Sequence, residues 1–283
     1  MFPEFMQFHV SSYIDNFVAW LNRNWADEFA ALTTLLLKSI LAVSNLLKLI
    51  PWWAWIIIVA ALSWYFSRRV ITSVILTLMM MSIGWFGLWD IAMDTLSIVI
   101  VSVIVAVIIG IPLGIWMSQS DRVAASVTPL LDAMQTMPSF VYLIPALMLF
   151  GLGKVPAVLA TVIYAVPPVT RLTNLGIRQV SPCVIEAAEA LGATRWQTLK
   201  EVLMPLAMPS VLAGINQTTM MALSMVVIAS MIGAGGLGEK VLISINRIAV
   251  GNGFEAGFAV VALAIVIDRL TQGAVRRWQV PTS

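Results

Sequence analysis

Charge is what this chain has least of. Only 11% of its 283 residues are Asp, Glu, Lys or Arg, against 60% hydrophobic, and the mean hydropathy is +0.95. That balance excludes an ordinary soluble domain. The formal net charge is +2, so no polybasic surface for nucleic acid is expected. A single cysteine, Cys183, excludes an internal disulfide, and a single histidine, His9, excludes a His-Cys metal cluster or a histidine-based triad. The phosphate-binding pattern G-x-x-x-x-G-K-[ST] is missing: Gly151-Leu152-Gly153-Lys154 lacks both the spacing and the following hydroxyl. Gly233, Gly235 and Gly238 match G-x-G-x-x-G formally, but they follow an apolar helix where a dinucleotide site needs a strand, and they read as a flexible exit from a membrane span. The N-terminus lacks the basic-then-apolar order of a cleavable signal peptide.

Long apolar runs are what the chain has instead. A bilayer needs about 20 apolar residues per helical crossing, and runs at 50–67, 70–89, 95–118, 138–153, 155–170, 207–232 and 252–270 approach or meet that length. The expected fold is therefore an all-α polytopic membrane protein of about seven transmembrane helices. Three regions are expected: an N-terminal tail with an interfacial amphipathic helix (1–49), a transmembrane domain (50–270) and a C-terminal tail (271–283). The segment 13–49 is apolar at helical spacing but carries Arg23, Asp27, Glu28, Lys38 and Lys48. A helix in the interface plane fits it better than an extra crossing by 29–50. The cluster Trp52, Trp53, Trp55, Trp64 and Tyr65 brackets the first span as an aromatic belt. Gly110 and Gly114 permit close helix contact, expected within the subunit. Each acid is placed at a span end or in a loop, Asp268 at the end of the last span, which leaves no mid-membrane carboxylate for proton coupling.

Between two spans lies a polar segment, 181–206, with helix punctuation. Ser181-Pro182 reads as an N-cap and first helical residue, with Glu186 and Glu189 in the early turns. Gly192 reads as a left-handed stop. Thr194 and Gln197 form a capping box for a second helix, which Pro205 is expected to end. If this loop is cytoplasmic, ten of the sixteen Lys and Arg fall on its side, the bias expected of an inner face.

Glu186-Ala187-Ala188, Gly192-Ala193 and Val202-Leu203-Met204-Pro205 resemble the EAA loop of ABC-importer permeases, and 134–145, 150–180 and 214–238 resemble the glycine betaine/choline/proline-betaine branch of that family. The resemblance implies a type I ABC-importer permease fold in a bacterial inner membrane, with cargo drawn from quaternary ammonium compounds. It implies a second copy of the chain as homodimer partner, two cytoplasmic ATPases carrying ATP and Mg, and a periplasmic or lipid-anchored binding protein. The permease itself would hold no cofactor or metal and perform no covalent chemistry. Glu186, Ala187, Ala188, Gly192, Ala193 and Pro205 would couple it to the ATPase. The short N-terminal tail looks more like choline-type permeases, which puts choline ahead of glycine betaine. The alternatives are an amino-acid or methionine importer permease of the same fold, or an ion-coupled secondary transporter. On the sixth span Asn216, Gln217, Thr218, Met220, Met221, Ser224 and Met225 are candidates for the substrate path. Gln217, Met221, Ser224 and Met225 share a helical stripe that plain core packing would explain equally well.

Overall fold

The computed structural model describes residues 11–278. His9 and the outermost parts of both tails lie outside the described residues. Among those described there is no strand.

The helices are α1 (Ser11–Asn24), α2 (Ala26–Leu49), α3 (Trp52–Ser67), α4 (Val70–Trp85), α5 (Trp89–Gln119), α6 (Asp121–Thr136), α7 (Leu143–Phe150), α8 (Lys154–Arg178), α9 (Pro182–Ala190), α10 (Arg195–Gln197), α11 (Met204–Ala229), α12 (Leu237–Asn246) and α13 (Val250–Trp278). Five stretches are long and apolar enough to cross a bilayer: 26–49, 89–119, 154–178, 195–232 and 250–275. A sixth is the pair 121–136 and 139–150, bent by 108°. The bend falls at Met137-Pro138, where the residue before a proline is pushed out of the helical region. The α3 and α4 helices are apolar but only 16 residues each. Asp121 and Asp132, expected in a loop, lie on α6, an amphipathic helix capped by the Ser120 hydroxyl. Likewise α13 runs through 271–278, so no separate tail begins at 271.

At the centre, α8 packs between α5 and α11. The most apolar window of α8 is 72% buried, against 22% for α2 and 28% for α13, which makes α8 the hub. The interlock is made by missing side chains. A Cβ at Gly110 would sit 2.5 Å from Val169 Cγ1, one at Gly114 2.6 Å from the Thr170 carbonyl, and one at Gly176 2.6 Å from Ser210 Cβ. The Gly110/Gly114 pair thus serves contact within the subunit. The Thr218 hydroxyl donates to the Ala165 carbonyl at 2.8 Å, satisfying a polar group inside the core.

The end opposite the 181–206 loop is sealed by short polar ties. Lys48 donates to Asp94 at 2.9 Å and Ser44 at 2.7 Å, and Lys154 approaches the same carboxylate at 3.8 Å. The Gly153 N–H donates to the Ile232 carbonyl at 3.1 Å. Here α2 takes an oblique course. Its Lys48 end is fixed to α5 and α8, yet Phe29 meets Phe150 edge-on at 5.2 Å, although roughly 28 Å of helix separates residues 29 and 48. It is span-like in length and composition, but both its halves are fastened close to the Gly151–Gly153 turn.

Candidate functional site

The 181–206 segment projects from the end where α8 stops. Arg178 holds that end: its guanidinium donates to Asp121 at 2.7 Å and to the Met117 carbonyl at 2.8 Å, and Arg171 pairs with Asp132. The short turn to α9 then begins with Pro182 at the first helical position. Two expectations are corrected here. Ser181 makes no side-chain capping bond, and the first turn of α9 holds no acid. Glu186 lies beyond the reach of the helix-end dipole, which fades within one turn. It is exposed and makes no ion pair among the described residues, so its carboxylate is available to a partner.

Gly192 stops α9 in the left-handed region, at φ +84°. The N–H groups of Gly192 and Ala193 donate to the Glu189 and Ala188 carbonyls at 2.9 and 3.1 Å, which closes the helix end. The Thr194–Gln197 capping box is present in both directions. Pro205, however, ends nothing. The α10 turn passes into a π-helical turn, Thr198–Leu203, and then directly into α11, where Pro205 occupies an opening position. Proline cannot donate to the carbonyl four residues back, and the wider turn carries the chain past that missing bond. The second helix of the loop is thus rigidly continuous with a core span.

Burial separates anchor from contact surface. Leu199 is 6% exposed and Thr198 5%, whereas Leu191 is 90% and Trp196 69% exposed. Trp196, with Trp116, Pro112, Gln119, Lys200 and Met204, borders a groove of about 460 Å³ between α5 and the loop. Leu191 and Trp196 were not singled out in the sequence, though two large apolar side chains in a polar segment are a signal of docking.

The stripe on α11 divides. Gln217 and Ser224 are exposed and Met221 is half-buried, but Met225 is in the core at 0%. The first three share one open face; Met225 does not join it and is corrected to a packing residue. Beside the stripe, Asn216 donates to Asp268 at 3.4 Å, and the Gln272 amide donates to the same carboxylate at 2.7 and 2.9 Å. Asp268 lies in the last third of the apolar stretch 250–275, next to Arg269. Gly233, Gly235 and Gly236 all have positive φ. The Leu237 N–H donates to the Thr95 hydroxyl at 2.8 Å, and a Cβ on Gly236 would lie 2.5 Å from that oxygen. This turn is tightly packed, where a flexible exit was expected. At the same end Trp52, Trp85 and Trp89 surround a cavity of about 460 Å³, as an aromatic belt can.

Residues 106–279 match the family described as binding-protein-dependent transport system inner membrane component. The chain is 46% identical over 264 residues to a glycine betaine transport system permease of Bacillus subtilis, covering 93% of each. It is 49% identical over 221 residues to a glycine betaine/proline betaine permease of Escherichia coli, covering 78% of this chain and 62% of that one. A choline transport system permease of Bacillus subtilis is 34% identical, covering 65% of this chain and 85% of that one. Among solved structures, an inward-facing methionine ABC transporter matches with a TM-score of 0.62 at 21% identity, covering 70% of this chain and 98% of that chain. The chain belongs to the binding-protein-dependent inner membrane component family, has the type I ABC-importer permease fold, and is a multi-pass inner-membrane transport protein.

Proposed function

From that membership we propose that this chain is the membrane permease of an ATP-driven importer for quaternary ammonium solutes, with glycine betaine as first cargo and choline second. One observation carries the cargo: identity of 46–49% to betaine permeases against 34% to a choline permease. It reverses the preference drawn from tail length. Likeness to the methionine transporter at 21% supports the fold alone and gives no ground for an amino-acid cargo.

Two ATPases with bound ATP and Mg, a second permease copy and an external binding protein complete the machine. The exposed Glu186, Ala187, Leu191 and Trp196 meet the ATPase, while Ala188, Gly192 and Ala193 set the angle between the two loop helices. Pro205 and the π turn pass the motion to α11. There Gln217, Met221 and Ser224 face the path, and alternating access follows as closure of the ATPases redistributes inward- and outward-facing states. The permease binds no cofactor of its own. Residues 11–49 form an N-terminal unit whose α2 packs Leu36, Ile40 and Leu47 into the core.

The test is uptake by the reconstituted complex in vesicles holding internal ATP, with the proton gradient collapsed. Glycine betaine is expected to accumulate, and unlabelled choline to compete less well than unlabelled betaine. Uptake that dies with the proton gradient at constant ATP would overturn the energy source; stronger competition by choline would overturn the cargo order. In the same vesicles an impermeant thiol reagent is expected to reach the exposed Cys183 only from the ATPase side.

A further inference from the structure

A cavity of about 560 Å³ opens between α3, α4 and α13, on the side of the bundle that carries the coupling loop. Arg69 and Arg269 line it, with Ser63, Thr72 and Gln272. No carboxylate does. The nearest, Asp268, is engaged by Gln272 and Asn216 and stands 4.0 Å from Arg269. Arg69 is exposed, and its side chain has no ion pair among the described residues. Deeper in, Ser63 is 2% exposed, and its hydroxyl has no hydrogen-bond partner among the described residues. A buried hydroxyl left unbonded is costly, and a serine in a helix ordinarily bonds back to its own turn.

We propose that this cavity holds the headgroup of an anionic phospholipid from the leaflet on the loop side. Two guanidinium groups, of which Arg69 has no facing carboxylate among the described residues and Arg269 only a distant one already engaged by Gln272 and Asn216, suit a phosphodiester, which they bind through paired N–H donors. Ser63 lies four residues before the end of α3 at Ser67, roughly 6 Å deeper along that helix than the corner that holds Arg69. At that depth a phospholipid places its glycerol esters, and the Ser63 hydroxyl donates to an ester carbonyl. Ile75, Leu76 and Ile265 continue the wall with apolar surface, against which an acyl chain lies. Free phosphate would satisfy the arginines but leave both Ser63 and the apolar wall unmet. The site lies apart from the coupling loop and from the open face of α11.

Native mass spectrometry of the purified permease–ATPase complex, titrated with short-chain phosphatidylglycerol, tests this. One saturable adduct per permease is expected. Arg69→Gln weakens it about fivefold, the factor expected for one arginine at a membrane surface; Arg69→Lys largely restores it, and Ser63→Ala weakens it with both arginines intact. The Arg69 side chain makes no hydrogen bond or ion pair among the described residues, so its variants assemble normally, and they decide the matter even if Arg269→Gln does not. Unchanged affinity in Arg69→Gln, equal binding of short-chain phosphatidylcholine, or displacement of the lipid by inorganic phosphate would each overturn the proposal. Because the readout is binding, its failure is distinguishable from failure of the transport reading.

Discussion

A Cβ at Gly114, in the α5–α8 interface, would sit 2.6 Å from the Thr170 carbonyl and 2.7 Å from Thr173 Cβ, whereas one at Gly192, in the coupling loop, meets nothing within 4 Å. The two positions need glycine for opposite reasons. In the core the backbone angles are those of an ordinary helix and the obstacle is a neighbouring helix. In the loop there is open space and the obstacle is φ +84°. The core is thus governed by volume, and the loop by a backbone angle plus whatever docks on Leu191 and Trp196. Damage to the first should be read in stability, and damage to the second in coupling.

The largest effect is expected from Gly114→Leu. Overpacking of this kind costs about 1–3 kcal/mol or more, and here one clashing atom belongs to backbone that cannot rotate away. Low yield of folded permease and a lower unfolding temperature in detergent are the expected readings. A variant as stable as the parent would show that α5 and α8 do not meet as described.

Gly192→Val comes next and sharpens the contrast. A left-handed conformation costs a residue with a Cβ roughly 1–2 kcal/mol, spent locally at a solvent-exposed turn. Insertion and global stability are expected to survive while ATP hydrolysis and uptake come apart in proteoliposomes. Normal ATPase retention with unimpaired uptake would mean the loop does not transmit the motion.

Thr194→Ala removes one half of the capping box, a loss of about 1 kcal/mol. Faster amide exchange confined to residues 194–198, with a partial fall in coupling efficiency, is the expected outcome. Exchange unchanged there would show that the π turn alone holds the second helix.

Smallest in stability is Glu186→Lys. With no ion pair and no first-turn dipole to lose, the unfolding temperature is expected to stay put, while the ATPase subunit dissociates more readily on size-exclusion chromatography. A drop in permease stability instead would assign Glu186 a structural role inside the chain.

Much of this protein was legible from pattern because a bilayer leaves few options. Apolar runs have to be helices that satisfy their own backbone groups, so four of the long apolar stretches, 89–119, 154–178, 195–232 and 250–275, and the α3–α4 pair followed from hydropathy, whereas 26–49, read as interfacial, is also long and apolar enough to cross. Short-range chemistry was equally readable at Gly192 and at the Thr194–Gln197 box, since both depend on residues within one turn. Where a reading failed, a longer-range partner had intervened. Pro205 does not stop its helix because a π turn and the packing of Leu199 carry the chain on into α11. Met225 left the stripe because α11 is buried on a wider arc than periodicity alone defines. The partnership of Asp268 with Asn216 was not legible because it joins α13 to α11 across 52 residues of chain.

By itself, then, the sequence determined the helices, the punctuation of the coupling loop and the family motif, all set by hydropathy, backbone angles and neighbours within a few residues. Only the tertiary structure decided which glycines are close-packed, how α2 is fastened, and that Ser63, Arg69 and Arg269 share one cavity. Each of those is a contact between segments far apart in the chain, and its energy depends on where the segments lie in space, which no local pattern encodes.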